Sequence, residues 1–390
     1  MIFLIFLIIS FLSALLPKRK HAIISILLIA CVFPSSNAYS QIISLQGVYF
    51  YDGFTIAYIV RLFLEFATSG RLKIRAHPFS IATLLLHFVF LAAALMYVDL
   101  DKYYIKDIRP VLNIIFLVAV LDLYKKTEDL FDDSFKQKMF VISGAASFVK
   151  LFFISSGLYG FQDEYYEENS FRYLDASSYY CAIYLISCFV SSTSKSRLKI
   201  ISILFSVASV LLANSRFILL SLGISAIGSN LNRPKRVAYA ALAAVLLAFS
   251  FYLLSIELNA TRIIDNLSAD RIAEQLLIRF GPAVERINEF SGLNYLFGLG
   301  AGTTFEIPWF AYRGLETTHS NIDSAYLTYI TKYGLVGFVL LAGFAFTAIP
   351  SSKISIPARI FIFSVFLVSA TPYQPYCIGL IASFLWVNKK

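Results

Sequence analysis

Apolar runs of 14 to 28 residues alternate with short clusters of lysine and arginine along the 390-residue chain, and this alternation leaves few architectures open. About 20 apolar residues in a helix cross the hydrocarbon core of a bilayer. Within lipid, backbone polar groups must bond inside helices or a closed barrel. The apolar–polar alternation of barrel strands is absent. Charged residues make up 15% of the chain, against about 25% in soluble domains. The expectation is an all-α polytopic integral membrane protein.

Cytoplasmic loops carry an excess of lysine and arginine, so the basic clusters order the spans. Lys18–Lys20, Arg71–Arg75, Lys125–Lys138, Lys195–Lys199, Arg233–Arg236, Lys353 with Arg359, and Lys389–Lys390 hold 20 of the 33 cations. Between successive clusters there is room for one outward and one returning helix. The predicted spans are 1–16, 21–38, 47–69, 78–98, 109–124, 139–158, 173–193, 199–213, 216–230, 237–256, 321–349, 358–371 and 375–388. Thirteen spans put the N-terminus outside and the C-terminus inside. If "TPYQPY" (Thr371–Tyr376) interrupts a single span, the number is twelve. The first basic cluster follows its apolar run, the reverse of a signal peptide, so 1–16 reads as a retained span. The chain then divides into helices over 1–256, a large outer loop over 257–320, and C-terminal helices over 321–390.

The net charge of +9 follows this loop bias, so no nucleic-acid partner is expected. Cys31, Cys181, Cys188 and Cys377 sit in or beside apolar segments without metal-binding spacing, and read as buried thiols. Nucleotide loops, HExxH and GxSxG are absent. Asp99 and Asp101 make a weak acidic pair, and Asp163–Asp175 mixes carboxylates with tyrosines as a sugar groove or a solvated loop would. Arg61 and Glu65 form an i,i+4 pair, and Lys150 and Lys332 lie mid-span, facing the bundle interior.

The outer loop, at 64 residues, is long enough to expect function. Within it, "LSADRIAEQLLIRFGPAVERINEF" (Leu267–Phe290) has the signature of an amphipathic helix that Ser268 can cap. Ile272, Leu276, Leu277 and Phe280 form an apolar stripe flanked by Arg271, Arg279 and Arg286. Such a helix suits either a membrane surface or packing on the bundle. Gly298, Gly300 and Gly302 allow positive φ, for a tight turn or close approach to a ligand. Ser320 and Asp323 have capping-box spacing, so a helix is expected to start at Ser320, leaving His319 at its head. Asp323 lies four residues on and is placed to orient the imidazole, which as a neutral base would act near pH 7. Gly334 and Gly337 read as helix-packing positions. Asn214-Ser215-Arg216 forms a turn that divides 30 apolar residues, and its arginine is suited either to snorkelling or to a lipid phosphate.

Together, "NSRFILL" (Asn214–Leu220), "YLFGLGAG" (Tyr295–Gly302) and "HSNIDSAYLTYITKYGLVGF" (His319–Phe338) resemble the motifs of the bacterial O-antigen polymerase and O-antigen ligase superfamily. The resemblance covers about residues 200–345. It implies about 12–13 transmembrane helices with one large periplasmic loop, in a GT-C-like glycosyltransferase architecture in the inner membrane. The implied reaction joins glycans carried on undecaprenyl diphosphate, without a metal or other cofactor. By motif position His319 is the base, supported by Ser320, Asn321 and Asp323, and Arg216 holds diphosphate. Arg279 is the loop arginine, with Arg286 and Arg313 as further candidates. The loop lacks the family's tryptophan-bearing helix, since Trp309 stands elsewhere. Implied partners are undecaprenyl-diphosphate-linked oligosaccharides, membrane lipids and a chain-length regulator. Size and divergence favour the polymerase over the ligase, whose acceptor is lipid A–core. A flippase, with two related halves and a charged central cavity, is the contrasting class; a structural membrane protein would leave Arg216 and His319 unexplained.

Overall fold

Each apolar run ends where the backbone loses a helical partner. In the computed structural model the first helix, α1 (Ile2–Leu15), stops before Pro17, and α2 (Arg19–Val32) stops at Phe33, which Pro34 holds in the extended region. Helix α4 (Asp52–Ser69) closes on Gly70, whose φ of 64° lets its N–H reach the Phe66 carbonyl. The structure describes residues 1–36, 39–45, 47–71, 74, 78–96, 102–125, 127, 132–155, 173–190, 196–213, 215–229, 269–308, 311, 316–347 and 355–387.

The remaining elements are a short α3 (Ser40–Ile43), α5 (Pro78–Ala94), α6 (Lys102–Lys125), α7 (Asp133–Ser155), α8 (Ala176–Val190), α9 (Arg197–Leu212) and α10 (Arg216–Ser229). After them come α11 (Ala269–Asn288), α12 (Asn294–Phe297), α13 (Ala325–Thr347), α14 (Ser355–Val368) and α15 (Cys377–Val387). Among the described residues there are also two small antiparallel pairs: β1 (Ser44–Leu45) with β2 (Val48–Tyr49), and β3 (Phe305–Glu306) with β4 (Thr318–His319). Every predicted span that falls in the described residues carries a helix; 237–256 lies outside them. Among the described residues one helix, Ala325–Phe346, is long and apolar enough to cross a membrane, and Ile2–Leu15, Ser80–Ala94, Phe217–Gly228 and Ile356–Val368 are shorter apolar helices.

Around a buried apolar core, several helices also leave large apolar side chains exposed. Leu4, Ile8 and Leu12 on α1, Phe63 and Leu64 on α4, and Leu85 and Val89 on α5 are exposed. Three ion pairs among the described residues, Asp52–Arg109, Lys150–Asp175 and Asp107–Lys332, are buried. Arg109 holds Asp52 through two hydrogen bonds of 2.6 Å and stacks 4.6 Å from the Tyr49 ring. The Asp175 carboxylate accepts from Ser35 Oγ, Ser177 Oγ and Lys150 Nζ. Each charge is neutralised, and Asp52, Asp107, Asp175, Arg109 and Lys150 make further hydrogen bonds, which a buried ion needs.

Lys150 and Lys332 therefore face the interior as expected. Arg61 also has a structural part: its Nη1 donates to the Ala14 and Leu16 carbonyls at 3.0 and 2.9 Å, satisfying the end of α1. The break at Thr371–Tyr373 is a single 3₁₀ turn between α14 and α15, with Asn113 Nδ2 donating to the Pro372 carbonyl at 2.6 Å. Cys31, Cys181, Cys188 and Cys377 are free thiols, and all but Cys188 are buried.

Candidate functional site

The site is built outward from one buried pair. Lys332 Nζ donates to both oxygens of Asp107 at 2.6 Å, and neither side chain is exposed to solvent. The second Asp107 oxygen also accepts from the Gly302 N–H at 2.7 Å. Asp107 thereby ties three segments together: its own helix α6, helix α13 and the glycine turn.

Helix α13 breaks two residues beyond Lys332. Gly334 adopts φ 62°, ψ −160°, a region open only to glycine. The break leaves helix carbonyls without helical donors. Those of Thr331 and Lys332 accept instead from the Leu299 and Gly300 N–H groups, both at 2.9 Å. Gly298, with φ 70°, lies so close that a Cβ there would meet the Lys332 carbonyl carbon at 2.4 Å. A Cβ on Gly334 would meet the Leu296 carbonyl at 2.3 Å. The positive φ expected at Gly298, Gly300 and Gly302 is present, at 70°, 98° and 87°. The close approach is that of Gly298, and it is to the broken helix of the same chain. The packing role expected for Gly334 is present, since Leu296 and Phe297 approach too closely to admit a Cβ, and Gly334 also breaks the helix at a φ and ψ open only to glycine.

From this clasp the chain runs into β3. Phe305 pairs with His319 and Glu306 with Thr318, and the hairpin is closed by Ile307 N–H donating to the Thr317 carbonyl at 2.8 Å. Ala283 on α11, Phe305, Ile307 and Ile322 form a small apolar core beneath it, with Phe280 and Leu327 packed alongside. The loop helix expected within Leu267–Phe290 is thus present as α11, although Ser268 lies outside the described residues. Its stripe divides: Phe280 packs inward, while Leu276 and Leu277 are exposed.

His319 therefore belongs to a strand, and the helix does not begin at Ser320. It begins at Ala325 with Ser324 as cap, whose Oγ accepts from the Leu327 N–H at 3.3 Å. Strand pairing holds the backbone extended as far as His319, so residues 320–324 serve as the turn into α13. Ser320 is buried and donates to Asn321 Oδ1 at 3.3 Å. Asp323, expected to orient the imidazole, is instead paired with Arg279 at 3.3 Å. The orienting group is the Glu316 carbonyl, which accepts from His319 Nε2 at 2.7 Å. That bond fixes the neutral tautomer and makes Nδ1 the basic nitrogen. Burial lowers the His319 pKa below 6.5; the nearby Lys106 charge acts in the same direction, while the Glu316 carbonyl opposes it.

The first two turns of α6 face this imidazole. Lys102 Nζ and Tyr103 Oη both donate to Glu316 Oε1 at 2.5 Å. These contacts hold the Glu316 carboxyl below its usual range. Lys106, one turn on, acts electrostatically on both Glu316 and His319. Lys102, Lys106, Glu316, His319, Asp323 and Arg279 thus form one continuous polar cluster. Such a surface can hold an anionic group beside a neutral base.

Among the other predicted residues, Arg286 does not enter this cluster. Its Nε donates to the Thr304 carbonyl at 3.0 Å and its Nη1 to Glu289, because it lies two turns beyond Arg279 along α11. Arg216 opens α10, but its side chain lies outside the description. Asn214, Arg313, Asp99, Asp101, Trp309 and the predicted outer loop 159–172 also lie outside the described residues. Sequence reasoning missed Asp107, Lys102, Tyr103, Lys106 and Glu316. The available signal was "KYYIKD" (Lys102–Asp107), where Lys102 and Lys106 share one helix face directly before an acid in an apolar helix. The span drawn from 109 began too late to include it, as α6 starts at Lys102.

Residues 131–388 match the family of unknown function DUF6369. No curated protein and no solved structure matches the chain.

Proposed function

We propose that this chain, which belongs to the DUF6369 family, is a polytopic inner-membrane glycosyltransferase that polymerises undecaprenyl-diphosphate-linked repeat units on the periplasmic face. The observation that carries this reading is His319 on the long loop, its imidazole held by the Glu316 carbonyl, in a polar cluster with Lys102 and Lys106 of α6 and Arg279 of α11. The acceptor hydroxyl attacks the anomeric carbon of the donor glycan as His319 Nδ1 takes its proton. The bond from that carbon to the diphosphate oxygen breaks, and the lipid diphosphate leaves. Cations at the membrane boundary stabilise charge growing on that leaving group.

The membrane placement is supported by the exposed apolar faces of α1, α4 and α5 and by buried, neutralised ion pairs. Leu277, Leu293 and Tyr295, exposed on the loop, suit contact with the bilayer surface.

The test uses a strain lacking the gene, complemented with His319→Ala, Arg279→Ala or Arg216→Ala, with surface polysaccharide resolved on a gel. The expected result is loss of long chains with single repeat units still on the acceptor. Loss of every repeat unit instead points to a ligase or a flippase. A wild-type ladder from both His319→Ala and Arg279→Ala removes the proposed site.

A further inference from the structure

The donors that converge on Glu316 are arranged as an anion site already filled from within. Its carboxylate accepts from Lys102 Nζ and Tyr103 Oη at 2.5 Å each. The Lys102 ammonium lies 5.0 Å from the centre of the Tyr103 ring, and that of Lys106 lies 5.9 Å from it on the same helix. A phenol donor flanked by two ammonium groups matches the oxygens of a phosphate group as well as it matches a carboxylate. The Lys102–Glu316 pair is also open to water, at 57% and 48% side-chain exposure, so an incoming anion can reach it. Exposed pairs of this kind are weak, and a more highly charged ligand displaces one partner readily.

Glu316 has a second task through its main chain, because its carbonyl holds His319 Nε2 at 2.7 Å. One residue thus joins the anion donors to the imidazole. We infer that Lys102, Tyr103 and Lys106 form the diphosphate-binding site of the donor, and that the Glu316 carboxylate is a resident stand-in which the diphosphate displaces. This deepens the proposed glycosyltransferase reading and rests on it for the identity of the donor. Displacement moves Glu316, and with it the carbonyl that orients His319, so donor binding and the setting of the base are coupled through a single residue. Empty, the site keeps Lys102 paired with Glu316; filled, it delivers the diphosphate next to the base.

The experiment uses the purified full chain in detergent, titrated calorimetrically with inorganic pyrophosphate. A parallel arm measures co-flotation with phosphatidylcholine vesicles containing a long-chain polyprenyl diphosphate. Glu316→Gln, which removes the competing charge, is expected to tighten binding about two- to fivefold in both arms. Lys102→Gln and Lys106→Gln are each expected to weaken it about fivefold or more. Tightening with pyrophosphate alone assigns the site to soluble phosphates and overturns the lipid-linked donor as its ligand. Unchanged affinity in Glu316→Gln, or wild-type affinity in both lysine variants, overturns the site itself. Because these side chains are exposed, unchanged thermal unfolding is expected and verifies that each variant is folded. Altered pyrophosphate binding together with a normal polysaccharide ladder in His319→Ala sinks the polymerase reading while leaving the anion site in place. The reverse pair of results sinks the anion site alone.

Discussion

Replacing Gly334 with alanine tests the clasp between the glycine turn and the broken helix. At φ 62°, ψ −160° an L-residue carries backbone strain of about 1–3 kcal/mol. The added Cβ would also sit 2.3 Å from the Leu296 carbonyl carbon and oxygen and 2.5 Å from the Phe297 nitrogen. These are main-chain atoms, so relief requires a segment to move, at a further cost of about 1–3 kcal/mol. Movement also lengthens the Leu299 and Gly300 bonds to the carbonyls of α13. The two contributions together predict a loss of about 2–6 kcal/mol. Gly292→Ala is the control, with φ 50° and nothing within 4 Å of the added Cβ; it costs only about 1–2 kcal/mol in backbone strain. Reversible denaturant unfolding in detergent, followed by circular dichroism, measures both. Gly298→Ala combined with Gly334→Ala should lose less than the sum of the single losses, since both break one junction. If Gly334→Ala lies within about 1 kcal/mol of Gly292→Ala, the clasp does not hold the loop and the reasoning fails.

Asp107→Asn leaves the Lys332 ammonium buried without its counter-charge; it should cost about 3–5 kcal/mol by the same unfolding assay, and Asp107→Leu with Lys332→Met should recover much of it. Because burial lowers the His319 pKa below 6.5, the base remains neutral as pH falls to that value. The acid limb of a transferase rate profile is accordingly expected below pH 6.5, and a limb above 6.5 refutes the assignment of His319 as base. Arg279→Ala should reduce activity with little change in stability, whereas Arg286→Ala, which loses a bond to the Thr304 carbonyl, should lower stability by about 1 kcal/mol while activity persists. Arg61→Ala frees the two carbonyls at the end of α1 and should destabilise by about 1–3 kcal/mol, read as earlier hydrogen exchange in that helix.

The helices were legible because apolar length and basic punctuation act locally: Pro17 and Pro34 end their helices for reasons contained in a few residues. Helix α11 was legible for the same reason, from its 3.6-residue period. The head of α13 was misread because Ser320 and Ser324 both stand ahead of the apolar run and both offer a cap. Only the pairing of His319 with Phe305, which is non-local, decides between them. Gly334 was legible as a packing glycine but not as a helix break, since sequence does not reveal that Leu296 and Phe297, 38 and 37 residues earlier, press against it. Lys332 was recognised as an interior cation, but its partner Asp107 lies 225 residues away and no spacing rule reaches that far. The His319 position followed from motif resemblance. The lysines and tyrosine around it required the fold.

The Asp107–Lys332 bond also constrains inheritance. Lys332 lies inside the stretch that the DUF6369 family shares, residues 131–388, whereas Asp107 stands before it. In a descendant that keeps the lysine, the upstream region must go on supplying a carboxylate at that depth. A lineage that drops the carboxylate must exchange the lysine for an uncharged residue. The two positions are therefore expected to mutate in step, so that a part of the chain beyond the family's shared stretch evolves under the control of a residue within it.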